Sequence, residues 1–232
     1  MGQVIECAPV HRPAPSALVL ALMLCAAAPA PGEPAVPVYD RVVAVVNRQV
    51  ITLSELQFEA RVALLQAGGP EGLATPLDGP LLRSTLEYVI GQRLQVAEAE
   101  KLQAFAVEPQ EVDAAVFALE RRAGGAAALA ALLARSDMDP DALSAVVARR
   151  IRAERALDGK LRLKAQVSDA EVRRAWETRP DFRARPLEEA RTELRDRLVR
   201  ERYRELAAAE LQRLRRAADV RVVDAAAWQG TP

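Results

Sequence analysis

Apolar residues follow two rhythms along this chain, a β-branched one at each end of its central part and a helical one in between. Val42 to Val46 form a β-branched run, Asn47-Arg48-Gln49 reads as a polar turn, and Val50-Ile51 as a short second strand. Thr52-Leu53-Ser54-Glu55 then matches a capping box, in which the Thr hydroxyl and the Glu carboxylate satisfy free backbone donors at a helix start. The first helix should run to about Gln66, where Gly68-Gly69-Pro70 stops it. Gly and Pro are dense from Ala67 to Pro80, which suits either a plain connector or a mobile flap beside a binding groove. A long helix from about Leu81 to Gln103 follows, with Leu82, Leu86, Val89, Ile90, Leu94 and Ala97 on one face.

Two later segments share a start signal. Val107-Glu-Pro-Gln-Glu-Val112 and Val167-Ser-Asp-Ala-Glu-Val172 each place a Val before a helix, with Pro109 at a first helical position in one and a Ser168/Glu171 capping box in the other. Between them lie a short Ala/Leu helix from Ala126 to Arg135 and a longer one opened by Asp139-Pro140, where Met138 and Leu143 are placed as a hydrophobic staple. The longer helix carries Leu143, Val146, Val147, Ile151, Leu157 and Leu161. A last helix, about Leu187 to Ala217, is rich in Arg and Glu and ends at the strand-like Asp219-Val-Arg-Val-Val223. The fold class is therefore mainly α, with β elements at its two ends.

The first thirty residues read as an address rather than as part of the fold. His11 and Arg12 lead into the apolar stretch Ser16 to Ala28, which has signal-peptide length and falls short of the roughly 20 residues a membrane span needs. Small residues after it, Cys25-Ala26-Ala27, suit a signal peptidase. Bulky Leu24 before Cys25 argues against a lipid anchor there. Both cysteines, Cys7 and Cys25, sit in this leader, so cleavage after Ala27 would leave no thiol, in keeping with an oxidising compartment. Residues 31–39 then form a Pro-rich linker, residues 40–224 the domain, and residues 225–232 a flexible tail holding Trp228.

Composition removes several functions. Half of the 232 residues are apolar, enough for a substantial core. The 32 basic and 32 acidic residues cancel, so no net field is present to hold nucleic acid. No Gly-rich phosphate loop, His/Cys metal spacing or nucleophile elbow follows the leader, and neither a cofactor nor a metal is expected. Neighbouring acids such as Glu188 and Glu189 point in different directions on a helix, which makes them solvated charges rather than an acid/base pair.

The run DRVVAVVNRQVITLSE (Asp40 to Glu55) resembles the opening of the SurA family of chaperones. The likeness continues through LEYVIGQRLQVAEAEKLQ (Leu86 to Gln103), EVDAAV (Glu111 to Val116), VSDAEVRRAWE (Val167 to Glu177) and the closing helix and strand from Pro186 to Val223. In that family a parvulin-type isomerase domain precedes the closing helix, but here only Thr178 to Arg185 separate the two matching segments, far below the ~50 residues a domain needs. The only histidine, His11, lies in the leader, so no catalytic role can be carried over. The resemblance also implies that the terminal strand pairs with the opening one. Sequence supports this indirectly, because Val42 to Val46 and Val220 to Val223 are too short to stand alone, although a hairpin of Val42 to Val46 with Val50-Ile51 is the alternative.

On this resemblance the expected function is an ATP-independent envelope chaperone for unfolded or nascent outer-membrane and other exported proteins, without isomerase activity. A scaffold protein devoted to one envelope partner is the second reading, and a prolyl isomerase the third. Phe58, Val62, Leu65, Tyr88 and Phe117 are candidates for a peptide-binding groove, although large apolar side chains are usually buried and each suits a core position better. No residue is assigned a catalytic role.

Overall fold

The computed structural model describes residues 40–223. The leader with Cys7 and Cys25, the Pro-rich stretch and the tail with Trp228 lie outside the described residues. Strands β1 (Val42–Val46) and β2 (Gln49–Thr52) are followed by helices α1 (Leu53–Gly72), α2 (Gly79–Lys101), α3 (Pro109–Ala123), α4 (Ala126–Arg135) and α5 (Pro140–Leu161). Then come α6 (Asp169–Thr178), α7 (Pro180–Arg183), α8 (Leu187–Arg216) and strand β3 (Val220–Val222). The mainly α architecture is as the sequence predicts.

The sheet order is β2-β1-β3, all antiparallel, so the expected hairpin and the expected closing pair coexist with β1 at the centre. Val45 faces Val50 on one side and Arg221 on the other. Asn47 and Arg48 make a two-residue turn with φ of 48° and 72°, the left-handed conformations that a tight hairpin requires, so Gln49 belongs to β2 rather than to the turn. The same turn ties the chain ends together: Asn47 N–H donates to Asp219 O (2.9 Å), and Asp219 N–H to Asn47 Oδ1 (3.2 Å).

Half of the capping box forms at α1. Thr52 Oγ1 accepts from the Glu55 N–H at 3.4 Å, but the Glu55 carboxylate turns away to Arg93 and Arg149, and Asp40 accepts from the Ser54 N–H instead. The helix passes Gln66 and breaks at Gly69, whose φ of 60° and ψ of −147° no helix accommodates, after which Pro70 starts a further turn. The connection that follows is held by Arg61, whose Nη1 donates to Leu73 O (2.9 Å) and Thr75 O (2.6 Å). Asp78 then caps α2 through Leu81 N–H (2.9 Å), so this helix begins two residues earlier than periodicity suggests.

Three apolar clusters result. The first joins the sheet, the start of α1, the stripe of α2 and Leu214 of α8. Gly91 lets α8 approach α2, since a Cβ there would sit 3.1 Å from Leu211 Cδ1. The second joins α1, α3, α4 and α5, with Met138 packed against it beside buried Leu143 as the staple predicts. The third is small: Val172, Phe182, Ala190 and Leu194 are buried where α6, α7 and the first half of α8 meet. Trp176 packs against its edge and donates Nε1–H to Arg185 O at 2.9 Å.

Candidate functional site

Four helices leave a two-lobed cleft between them. One lobe, about 320 Å³, is walled by Val62, Ala63, Tyr88, Val146 and Val147, with Glu59, Gln66, Gln92 and Arg150 among its polar members. The other, about 330 Å³, lies between α3 and α5 and is walled by Ala115, Ala118, Leu119 and Ile151. Gln66, Val147 and Arg150 line both lobes, so the two adjoin along these residues. Helical spacing builds it: Glu59, Val62, Ala63 and Gln66 recur along one face of α1, as Val146, Val147, Arg150 and Ile151 do along α5.

The sequence candidates divide here. Val62 and Tyr88 are brought together in the first lobe. Phe58 and Leu65 are almost wholly enclosed in the second apolar cluster, so their bulk fills core rather than an open surface, and Val62 is buried except for the edge it gives to the cleft. Phe117 is 57% exposed on the outer side of α3, with the Arg121 guanidinium 5.5 Å from its ring centroid, and lines neither lobe.

Beneath the first lobe lies a buried ionic cluster. Glu59 is enclosed and paired with Arg149, which also lies 3.5 Å from Glu55, while Arg93 bonds Glu55 and donates to Val50 O at 2.9 Å. Burial pushes the Glu59 carboxyl above the ordinary range, and Arg149 opposes the shift. The cluster links β2, α1, α2 and α5, so removing one partner would strand a buried charge, a loss typically of ~3–5 kcal/mol. Sequence carried one unread signal for it, an acid at Glu59 between apolar Phe58 and Ala60 on the buried side of α1.

Gln92, also buried, keeps its Oε1 without a hydrogen-bond partner among the described residues. Tyr88 beside it is half exposed. Burial raises its hydroxyl above the ordinary range, against the pull of Arg150 and a hydrogen bond from Gln92. Arg150 itself is held at Nε by Glu154 at 2.8 Å. Periodicity could not reveal Gln92, Gln66 or Arg150 as cleft residues, because their neighbours come from other helices.

Such a cleft has aliphatic walls, amide and hydroxyl groups, and one partly free guanidinium. It can hold apolar side chains and hydrogen-bond a polypeptide, whereas no arrangement of nucleophile and base occurs in it. No described helix is long and apolar enough to cross a membrane. No family model matches the chain. It is 34% identical over 163 residues to the Chaperone SurA of Chromobacterium violaceum, a stretch that makes up 70% of this chain and 37% of that protein.

Proposed function

From a chain related to the SurA chaperone over most of its own length and about a third of that protein's, we propose an ATP-independent chaperone of the cell envelope. It binds unfolded or nascent exported polypeptides, outer-membrane proteins among them, and does not catalyse prolyl isomerisation. The observation that carries this reading is the kinship itself. The two-lobed cleft supports it, being a concave apolar surface with polar groups of the kind that grips a polypeptide, with Val62 and Tyr88 as its contacts. Phe117 offers a second, isolated apolar contact. The non-catalytic half is supported by the chain path: α6 runs into α8 through residues 179–186 alone, which hold the single turn of α7. The leader, as read from its composition, carries the chain to the envelope.

Two measurements on one preparation test both halves. The protein should slow aggregation of an unfolded outer-membrane client without nucleotide, and leave cis/trans exchange in a proline peptide at its uncatalysed tens to hundreds of seconds. Faster exchange at substoichiometric protein would refute the non-catalytic half. Aggregation unaltered across several unrelated clients, with the protein in molar excess, would instead favour a scaffold devoted to one partner.

A further inference from the structure

We propose that the cleft selects extended segments in which an acidic side chain lies two residues from an aliphatic one, the carboxylate pairing with Arg150 and the aliphatic group filling the adjoining lobe. This rests on the polypeptide-binding reading and narrows it to a class of sequence. Arg150 lines both lobes, and Glu154 engages it through Nε alone, so the two terminal nitrogens of the guanidinium have no hydrogen-bond partner among the described residues. That pair of donors matches a carboxylate, which can accept from both at once. The other charges on the cleft do not cancel it. Glu59 is neutralised by Arg149, and Arg122 donates to Gln66 O while keeping its charge, which leaves Arg122 and Arg150 against Glu154. The cleft therefore carries an excess of positive charge on a chain whose net charge is zero.

Spacing follows from strand geometry. In an extended segment neighbouring side chains point to opposite sides, and those two positions apart share a side at roughly 6.5–7 Å. The lobes adjoin at Arg150 and Val147, so a carboxylate at Arg150 places a side chain two residues away against the aliphatic walls.

Fluorescence anisotropy with the full chain tests this, using short fluorescein-labelled Gly/Ser peptides that carry Leu-Ser-Asp, Leu-Ser-Lys, Leu-Ser-Asn or Leu-Asp-Ser. The Leu-Ser-Asp peptide should bind about tenfold more tightly than its Asn counterpart, the size of one charge-assisted pair, and more tightly still than the Lys peptide. Leu-Asp-Ser, with the two side chains on opposite sides, should fall back toward the Asn value. Arg150→Gln should erase the preference for acid. Glu154→Gln should strengthen it, because the competing carboxylate is gone. Ala63→Trp, which fills the first lobe from an exposed position, should weaken every peptide, with cooperative melting confirming that each variant folds. Equal binding of the Asp and Lys peptides, or an acid preference that survives Arg150→Gln, overturns the proposal. If no peptide binds but client aggregation is still delayed, the selectivity is wrong and the chaperone reading stands. If the wild-type chain neither binds peptides nor delays aggregation, the chaperone reading falls with it.

Discussion

The chain holds two regions built on different physics. The sheet, α1 to α5 and the second half of α8 share two large apolar clusters, whereas α6, α7 and the first half of α8 meet over only four buried side chains. Around those four the chain sets ion pairs: Arg179 with both oxygens of Glu201 (3.0 and 2.6 Å), Arg197 with Asp181 (2.9 Å) and Glu201 (3.2 Å), Arg191 and Arg195 with Asp169, and Arg202 with Glu171. Arg185 and Arg197 also sit over the Phe182 ring, 5.7 and 5.4 Å from its centroid. Solvent-exposed pairs contribute only about 0–1 kcal/mol each, so a network of them orients helices more than it stabilises them. The body is therefore fixed by burial, and the α6–α7 region by one aromatic ring and directed charge pairs.

Phe182→Ala breaks the comparison most severely. It removes about 3–5 kcal/mol from a cluster with little else to hold it. In hydrogen exchange, amides of α6, α7 and residues 187–198 should lose protection while those of α2 and β1 keep it. Leu86→Ala, in the body, should instead lower protection everywhere by about 2–5 kcal/mol. Uniform loss in both variants would mean that the two regions are one cooperative unit.

Next in size is removal of β3. Cutting the chain after Ala217 takes away the Ala44/Val222 and Val46/Val220 pairings, and the amides of Val43 to Val46 that β3 protects should exchange faster although they lie at the other end of the chain. Unchanged protection of β1 would show that the β1–β2 hairpin and the helices suffice.

Acid acts on both regions, and Glu210 in the body is also held at about 2, by Arg213 first and then Lys160, but the body carries in addition a group shifted the other way. Arg202, with the Ser168 backbone and hydroxyl, holds Glu171 at about 2, and Arg179 holds Glu201 at about 2, both below the ordinary 4.5. Their contribution is complete above that ordinary value and is lost as pH falls from about 4.5 toward about 2. Glu59 in the body is shifted upward by burial, so protonating it favours the fold, and the body gains from it as pH falls through its raised value toward 4.5. Exchange measured across this range should show the α6–α7 region opening first. Simultaneous opening, or earlier loss of the body, contradicts the assignment.

The body was legible in the sequence because burial imposes periodicity. The stripe of Leu82, Leu86, Val89, Ile90 and Leu94 is buried as read, and only Ala97 is partly open. Met138 and Leu143 found their places for the same reason. Helix α7 was not legible: four residues show no period, and Thr178-Arg179-Pro180 reads as a break, so Phe182 went unnoticed although it anchors its cluster. The half-formed capping box shows the opposite error, since the motif at Thr52 to Glu55 is local and the pull of Arg93 and Arg149 on Glu55 comes from distant helices. The cleft escaped for that reason as well. Aromatic and aliphatic bulk on α1 pointed to Phe58 and Leu65, which the core claims, while Arg150 and Gln92 gain meaning only when α1, α2, α3 and α5 pack.

Photo-crosslinking places the client directly. A benzophenone side chain introduced at Ala67, exposed beside the first lobe, should capture an unfolded outer-membrane client. The same group at Asp196, exposed on α8 in the ion-paired region, should capture little. Strong capture at position 67 that Arg150→Gln or excess acidic peptide reduces is the predicted result. Equal capture at both positions, or capture only at position 196, would contradict the claim that the body's cleft is where this chain holds its clients.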